Sequence, residues 1–497
     1  MASPADERAG VDRRLTAWRA LWLTSLGLAL IAGLAILLGN WTAGRSVDVA
    51  WHYVRVNYFF QSWHLVPQGD NPPWEGYAPI AYMVGGAIGR LVDQPFLGMS
   101  IVSLAFIFLI YVFVFLGLER KTLAATLASY ASLFLAIAAL HSTFALYGYE
   151  IVGNFFYAHA AGEAAFLALL FVLSGRERTS AELLLVPLLV LLLGWLFPLA
   201  QIKLAIGALV LWSAKLVQDW LATRRIEARV LPSLVILTGL LFAAIYFHPE
   251  FTYFRSIAEH NGATNQKIGL ITIAAIAVAL LAASLGLLAL AISRKTGLAR
   301  PLFIATAGLA TVAAYAGQAL LYFGFGAASE YAVRKHAYAL TTLLAAALIA
   351  LAVEAAERKL PRLSSRPLSS LAGGGPAAMI AAFATVFILI SHYAEDRTPF
   401  LAYQQELHET PLLRGQTISL NRDFPPEFNL AASIVDLDLS PELNPFVMVI
   451  LRRGELDPSV TKFPRFAIVS RKDAVPARCV SAAAKLATAT LIDYGCK

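Results

Sequence analysis

The chain alternates between long uncharged stretches and short polar connections. From Leu21 to Asn40 no charged side chain interrupts the apolar positions. Comparable stretches return at 96–118, 122–140, 157–174, 183–199, 201–217, 229–246, 268–292, 300–322, 337–354 and 376–392. About 20 predominantly apolar residues carry a helix across the hydrocarbon of a bilayer. Strands of a transmembrane barrel would alternate apolar and polar positions, and these stretches do not. They predict about eleven membrane-spanning helices. Residues 79–93 stand apart, because they are short, hold Gly85, Gly86 and Gly89, and carry Arg90. They read as an interfacial or re-entrant helix.

The polar connections test that count. With eleven spans, the segments "LERKT", "GRERTS", "DWLATRRIEAR", "SRKTGLAR" and "ERKLPRLSSRPLSS" lie on the same side as the arginine-bearing N-terminus. That puts roughly 19 Lys and Arg inside against about 8 in the outer loops, as the positive-inside rule requires. A further span at 79–93 would throw every later basic loop outside. The expected organisation is a cytoplasmic N-terminal segment, 1–20, and a transmembrane domain, 21–392, whose first outer loop is 41–95. A periplasmic or other extracytoplasmic domain, 393–497, follows. The expected location is the inner (plasma) membrane. The first span has full length and no A-x-A cleavage signal, so it reads as an anchor and not as a signal peptide.

In the last hundred residues charges become frequent. "PFVMVIL" and "RFAIVS" read as strands and "CVSAAAKLATAT" as a helix, which predicts a small α+β domain. Cys479 and Cys496 fall there, and an outer compartment permits a disulfide between them; two unpaired thiols are the alternative. Composition supports the membrane reading. Hydrophobic residues make up 58% of the chain, charged residues 14%, and the mean hydropathy is +0.65. A soluble domain carries about 25% charged residues. The fold class is therefore an all-α polytopic membrane protein with a small C-terminal α+β extramembrane domain. The net charge of +7 follows from the loop bias. No basic stripe is interleaved with stacking aromatics, so nucleic acid is not an expected partner.

Residues suited to chemistry collect in the predicted outer loops. On a helix over 48–60, Asp48, His52 and Arg55 fall at i, i+4 and i+7, on one polar stripe. Such a stripe offers a carboxylate as general base and a guanidinium for phosphate; an ordinary interfacial helix with a solvated face is the alternative. "QGDNPPWEGYAPI" brings Asp70, Glu75 and Tyr77, a mixture of carboxylates and rings suited to a sugar, or a stiff connector. "HSTFALYGYEIVGNFFYAHAAGE" places Glu150, His159 and Glu163 on the same side. His159 and Glu163 are i, i+4 at the head of a span, where charge is costly unless it faces protein or a wet cavity. A metal held by these two would lack a third ligand fixed by spacing. "GFGAASEYAVRKHAYALTT" puts Arg334, Lys335 and His336 outside, against the charge bias. An anionic ligand such as a lipid phosphate explains that exception; pairing of Arg334 with Glu330 explains it differently.

This layout resembles the GT-C superfamily of membrane glycosyltransferases, which take sugars from polyprenyl-phosphate donors. The resemblance rests on "SVDVAWHYVRV" after the first span, the return "NPPWEGYAPIAY", the late basic loop "SEYAVRKHAY", about eleven spans and a soluble C-terminal domain. It implies inverting transfer of a sugar to an envelope glycan, lipid or protein acceptor, among membrane lipids. It implies Asp48 as the catalytic base, with His52, Glu75, Tyr77, His159 and Glu163 lining the sugar and acceptor cavity. Arg334 and Lys335, with His336 beside them and Arg55 assisting, would meet the lipid phosphate. Many members carry Asp-Glu or Asp-x-Asp in the first loop. Here Val49 and Ala50 follow Asp48, so no motif calls for a divalent metal, and metal use stays open. A non-catalytic transporter or assembly partner for lipid-linked sugars is the competing expectation.

Overall fold

The structure is a computed structural model. It describes residues 24–35, 48–64, 79–120, 122–152, 155–175, 182–224, 230–249, 251, 268–293, 299–359, 374–394 and 398–410, with strand residues 418–420, 466–470, 481–485 and 489–493. Each of the eleven predicted spans contains a helix. These are α1 (Thr24–Ala35), α4 (Pro95–Gly117), α5 (Leu123–Leu140), α7 (Tyr157–Ser174), α8 (Glu182–Gly194), α9 (Pro198–Thr223), α10 (Val230–Tyr246), α11 (Leu270–Ser293), α12 (Ala299–Phe325), α14 (Ala337–Lys359) and α15 (Gly374–Ala394). Shorter helices lie between them: α2 (Asp48–Ser62), α3 (Ile80–Leu91), α6 (Tyr149–Val152) and α13 (Glu330–Arg334). Among the described residues, seven helices are long and apolar enough to cross a membrane by themselves. The chain is a multi-pass membrane protein.

Local chemistry explains where these helices begin. Gln94 caps α4 by accepting the Leu97 N–H at 3.0 Å, with Pro95 at the first helical position. Thr122 does the same for α5 through Ala125 N at 3.2 Å. Each cap satisfies a backbone donor that helix geometry leaves open. Pro198 starts α9 after an extended Phe197, the position where its missing N–H costs nothing.

α4 and α7 form the buried centre, flanked by α9, α12 and α15. α10 and α11 present Val235, Phe242, Ile271 and Val278 outward. In a bilayer such faces meet lipid, and helices associate by close contact and hydrogen bonding.

α3 has 12 residues, about 18 Å at 1.5 Å per residue, and a bilayer core is ~30 Å thick. It lies against α2 and α4, so the short glycine-rich segment is a non-spanning helix. Its glycines are contact surface. A Cβ on Gly86 would come within 2.8 Å of the Phe59 ring and 3.0 Å of the Val56 carbonyl, and one on Gly98 of α4 would run into the Gly89 backbone.

In the C-terminal region α16 (Thr398–His408) precedes a four-stranded sheet of β1 (Ile418–Leu420), β2 (Phe466–Ser470), β3 (Ser481–Lys485) and β4 (Ala489–Asp493). The order is β1-β2-β4-β3, with β1 parallel to β2 and the other pairs antiparallel. "RFAIVS" supplies β2, as expected. The expected helix in "CVSAAAKLATAT" is corrected. The segment is instead β3 and the start of β4, paired from Ser481↔Asp493 to Lys485↔Thr490. Alanine's helical preference is a few tenths of a kcal/mol per residue, and strand pairing overrides it. "PFVMVIL", Cys479 and Cys496 lie outside the described residues.

Candidate active site

The heads of α7, α9 and α14 meet α2, α3 and the connection from α5 to α7 at one end of the bundle. The connection is pinned from two sides. Tyr111 of α4 donates its hydroxyl to the Tyr147 carbonyl at 2.7 Å, and Tyr147 N–H donates to Thr342 Oγ1 of α14 at 2.9 Å. Gly148 then takes φ +99°, a left-handed conformation that glycine adopts without steric cost. Its N–H donates to Glu150 Oε2 at 2.7 Å.

That turn aims Tyr147 at the centre of the site. Its hydroxyl donates to Glu163 Oε2 at 2.7 Å, and Lys203 Nζ of α9 donates to Glu163 Oε1 at 2.5 Å. Glu163 and Lys203 are both fully buried. His159 Nε2 stands 3.5 Å from Glu163 Oε1, an ion-pair distance too long for a good hydrogen bond, and its ring meets Phe197 edge-on. Glu150 is fully buried as well. Burial pushes its carboxyl up to about 8, with the Glu163 charge adding to the effect while backbone N–H donors and Lys203 oppose it. At neutral pH it therefore holds its proton.

A second layer comes from α2. His52 Nδ1 shares a 2.7 Å hydrogen bond with Tyr82 OH, and the two rings are stacked. Burial, then the charges of Arg55 and Lys335, lower the His52 pKa well below the ordinary value, so the imidazole is neutral. The Arg55 guanidinium lies 5.8 Å from the centre of the Tyr82 ring. Tyr157 donates to the Ala81 carbonyl at 3.0 Å and stacks on Phe155.

The basic loop splits in two. Arg334 turns onto Glu330, with Nε and Nη2 each 2.6 Å from Oε1, and Nη1 donates to the Ile268 carbonyl at 3.0 Å. Lys335 turns inward, where its ammonium sits 4.1 Å from the centre of the Tyr331 ring and 4.6 Å from that of Phe156. Such contacts hold a cation by the ring quadrupole. His336 is fully buried against Tyr315, within electrostatic reach of Lys203, Glu163, His159 and Lys335.

The structure thus gathers His52, Arg55, His159, Glu163, Lys335 and His336 at one end. His52 is buried against α3, its ring in contact with Tyr82 and Phe155, so at this position α2 does not carry the solvated face of an ordinary interfacial helix. Arg334 belongs to an ion pair with Glu330, the alternative that the sequence left open. The backbone of Asp48 opens α2, but its side chain lies outside the described residues, as do Glu75 and Tyr77. Sequence reasoning missed Lys203, Tyr147 and the burial of Glu150. Lys203 carried a readable signal, since a lone lysine in an apolar spanning segment marks a functional position. Among the described residues no group of three or more His, Cys, Asp or Glu is placed to hold a metal ion.

The chain is similar over most of its length to two solved structures of ArnT from Cupriavidus metallidurans. For the one bound to undecaprenyl phosphate, the match covers 94% of this chain and 97% of that chain at 14% identity, with a TM-score of 0.39. For the apo state the coverage and identity are the same and the TM-score is 0.37. Neither a family model nor a curated protein matches the sequence.

Proposed function

We propose that this protein is an integral membrane glycosyltransferase. It transfers a sugar from a polyprenyl-phosphate donor to a glycan, lipid or protein acceptor at the outer face of the inner (plasma) membrane. The N-terminus is then cytoplasmic, and residues 393–497 form the extracytoplasmic domain. One observation carries the reading. α2, α7, α9 and the α13–α14 junction bring Arg55, Glu163, Lys203 and Lys335 together at one end of the bundle. Charged groups inside a membrane protein are expensive and mark sites of function.

The roles follow from the chemistry. Attack by an acceptor hydroxyl on the anomeric carbon forms the new C–O bond as the bond to the phosphate oxygen breaks. The hydroxyl proton passes to a carboxylate, assigned to Asp48, and the phosphate leaves with the bonding electrons. Lys335, with Arg55 beside the His52–Tyr82 pair, stabilises that developing charge. Preorganised cations act strongly where water is excluded. Arg334 sets the rim of the site through its pair with Glu330. The Glu163–Lys203–Tyr147 group holds α7 to α9 and shapes the floor.

The test is transfer from a synthetic polyprenyl-phosphate sugar by purified protein in nanodiscs. Asp48→Asn should abolish product while donor binding persists, and Lys335→Met should weaken donor binding tenfold or more. Undiminished transfer by Asp48→Asn rejects that residue as the base. A wild-type protein that moves lipid-linked sugar across liposomes and makes no transfer product would instead establish the transporter reading.

A further inference from the structure

Arg90, in the last turn of α3, carries a charge that the described residues leave unmatched. Its guanidinium forms no ion pair and no hydrogen bond among them. Asp93, three positions on and exposed, does not pair with it. Rings hold the cation instead. It lies 4.3 Å from the centre of the Trp63 ring and 5.7 Å from that of Phe60. Nε is covered, whereas the side chain is only half-buried, so the terminal nitrogens stay open to an outside partner.

The surroundings are those of a membrane boundary. Tyr82, Gly85, Gly86 and Gly89 of α3 are buried, while Met83, Val84 and Leu91 are exposed. At 100° per residue Arg90 falls on the edge between these two faces. A helix too short to span, with an open apolar face and a cation at its margin, lies along the interface. Trp63, exposed just beyond α2, shares that edge, and indoles favour the same depth. Its backbone takes φ +59°, a conformation that a bulky residue adopts only under constraint. The fold accepts that constraint and sets the indole against the guanidinium. Stacking occupies the flat face of the cation and leaves its N–H edge free, and that edge matches phosphate oxygens two at a time. A zwitterionic headgroup neutralises its phosphate with its own ammonium. An anionic headgroup does not, so it is the better complement to an unmatched cation.

We propose that Arg90 and Trp63 form a headgroup site for an anionic phospholipid of the surrounding bilayer, with the acyl chains running along Met83, Val84 and Leu91. The site has a structural consequence. α3 packs so closely on α2 that a Cβ on Gly86 would meet Phe59 and the Val56 carbonyl, and α2 carries His52 and Arg55. A lipid seated on Arg90 therefore braces the helix pair that walls the candidate active site. The leaflet follows from the proposed topology, but the binding itself depends on no transfer reaction.

The experiment titrates full-length protein in detergent with phosphatidylglycerol, and in parallel with phosphatidylcholine, while native mass spectrometry counts the lipids retained. The wild type should hold one more phosphatidylglycerol than Arg90→Gln, with no such difference for phosphatidylcholine. Trp63→Leu should weaken retention of that lipid threefold or more, and Trp63→Phe, which keeps a ring, should stay within twofold of the wild type. Lys215→Gln removes a half-exposed cation paired with Asp219 and should lose no lipid. Gel filtration and thermal unfolding identify a variant that fails to fold; if Arg90→Gln does, the two Trp63 variants carry the test. Equal lipid counts for wild type and Arg90→Gln overturn the inference, as does equal retention of the two phospholipids at this site. Displacement of the phosphatidylglycerol by polyprenyl phosphate also overturns it, because Arg90 would then serve the carrier lipid. Sugar transfer by a protein that retains no such phospholipid would remove this site and leave the glycosyltransferase reading standing. Retention without any transfer would do the reverse.

Discussion

Replacing Lys203 by methionine isolates the most consequential contact in the bundle. The substitution keeps most of the aliphatic stem and removes the ammonium, which lies 5.9 Å from the centre of the Phe166 ring and donates to Glu163 Oε1 at 2.5 Å. Glu163 would remain at zero exposure, supported by the Tyr147 hydroxyl at 2.7 Å and by His159 at 3.5 Å. Breaking a buried pair from one side costs about 3–5 kcal/mol, because the surviving charge is stranded. Glu163→Gln strands the ammonium instead and weakens a charge-assisted bond from Tyr147, so a similar loss is expected. Removing both charges together is often close to neutral. Lys203→Met with Glu163→Gln should therefore recover most of either loss, with a coupling energy of about 3 kcal/mol or more. SDS-driven unfolding in mixed micelles, followed by tryptophan fluorescence, gives the four stabilities. Single losses below about 1 kcal/mol, or a double variant whose loss equals their sum, would refute the claim that this pair ties α7 to α9.

Three further outcomes are expected. The Glu150 carboxyl is raised from an ordinary 4.5 to about 8. Its contribution to stability is thus complete below about pH 4.5 and is lost as pH rises through 8. At about 1.4 kcal/mol per pH unit this amounts to about 5 kcal/mol at most. Thermal midpoints between pH 5 and 9 should fall for the wild type and flatten for Glu150→Gln; parallel curves would contradict the assignment. Gly86→Ala and Gly98→Ala should each destabilise by about 1–3 kcal/mol through overpacking, while Gly33→Ala, whose Cβ would meet nothing within 4 Å, should be neutral or slightly stabilising. Thermal unfolding ranks them. The half-exposed Arg334–Glu330 pair should contribute only about 0.3–1 kcal/mol, so Arg334→Met should disturb stability and donor binding far less than Lys335→Met, as parallel unfolding and binding titrations would show.

The bundle was legible because spanning helices advertise themselves through uncharged length, which is why all eleven predicted stretches hold helices. α3 was legible as an exception from its length and its glycines. β3 and β4 were not, since "SAAAK" carries no alternation, and its strand state comes from pairing with a neighbour rather than from its own pattern. In the site, His159 and Glu163 could be read from charge at the head of a span. Tyr147 could not. Its role depends on the turn at Gly148 and on hydroxyls from α4 and α14, and no local spacing encodes those contacts. Arg334 and Lys335 are neighbours in sequence and part company in space, because one faces Glu330 and the other a pair of rings.

The pairing of Glu163 with Lys203 also bears on how the chain is made. The two lie 40 positions apart on α7 and α9, with α8 between them, so during synthesis the carboxyl enters the membrane well before its partner exists. A charged side chain at the centre of an inserting helix costs about 2.5–3.5 kcal/mol, and Glu163, two turns into α7, meets a part of that cost. α7 is therefore expected to wait, protonated or held at the insertion machinery, until α9 arrives. Biogenesis of this bundle would then proceed by a three-helix unit, with the closing of that ion pair as its final step.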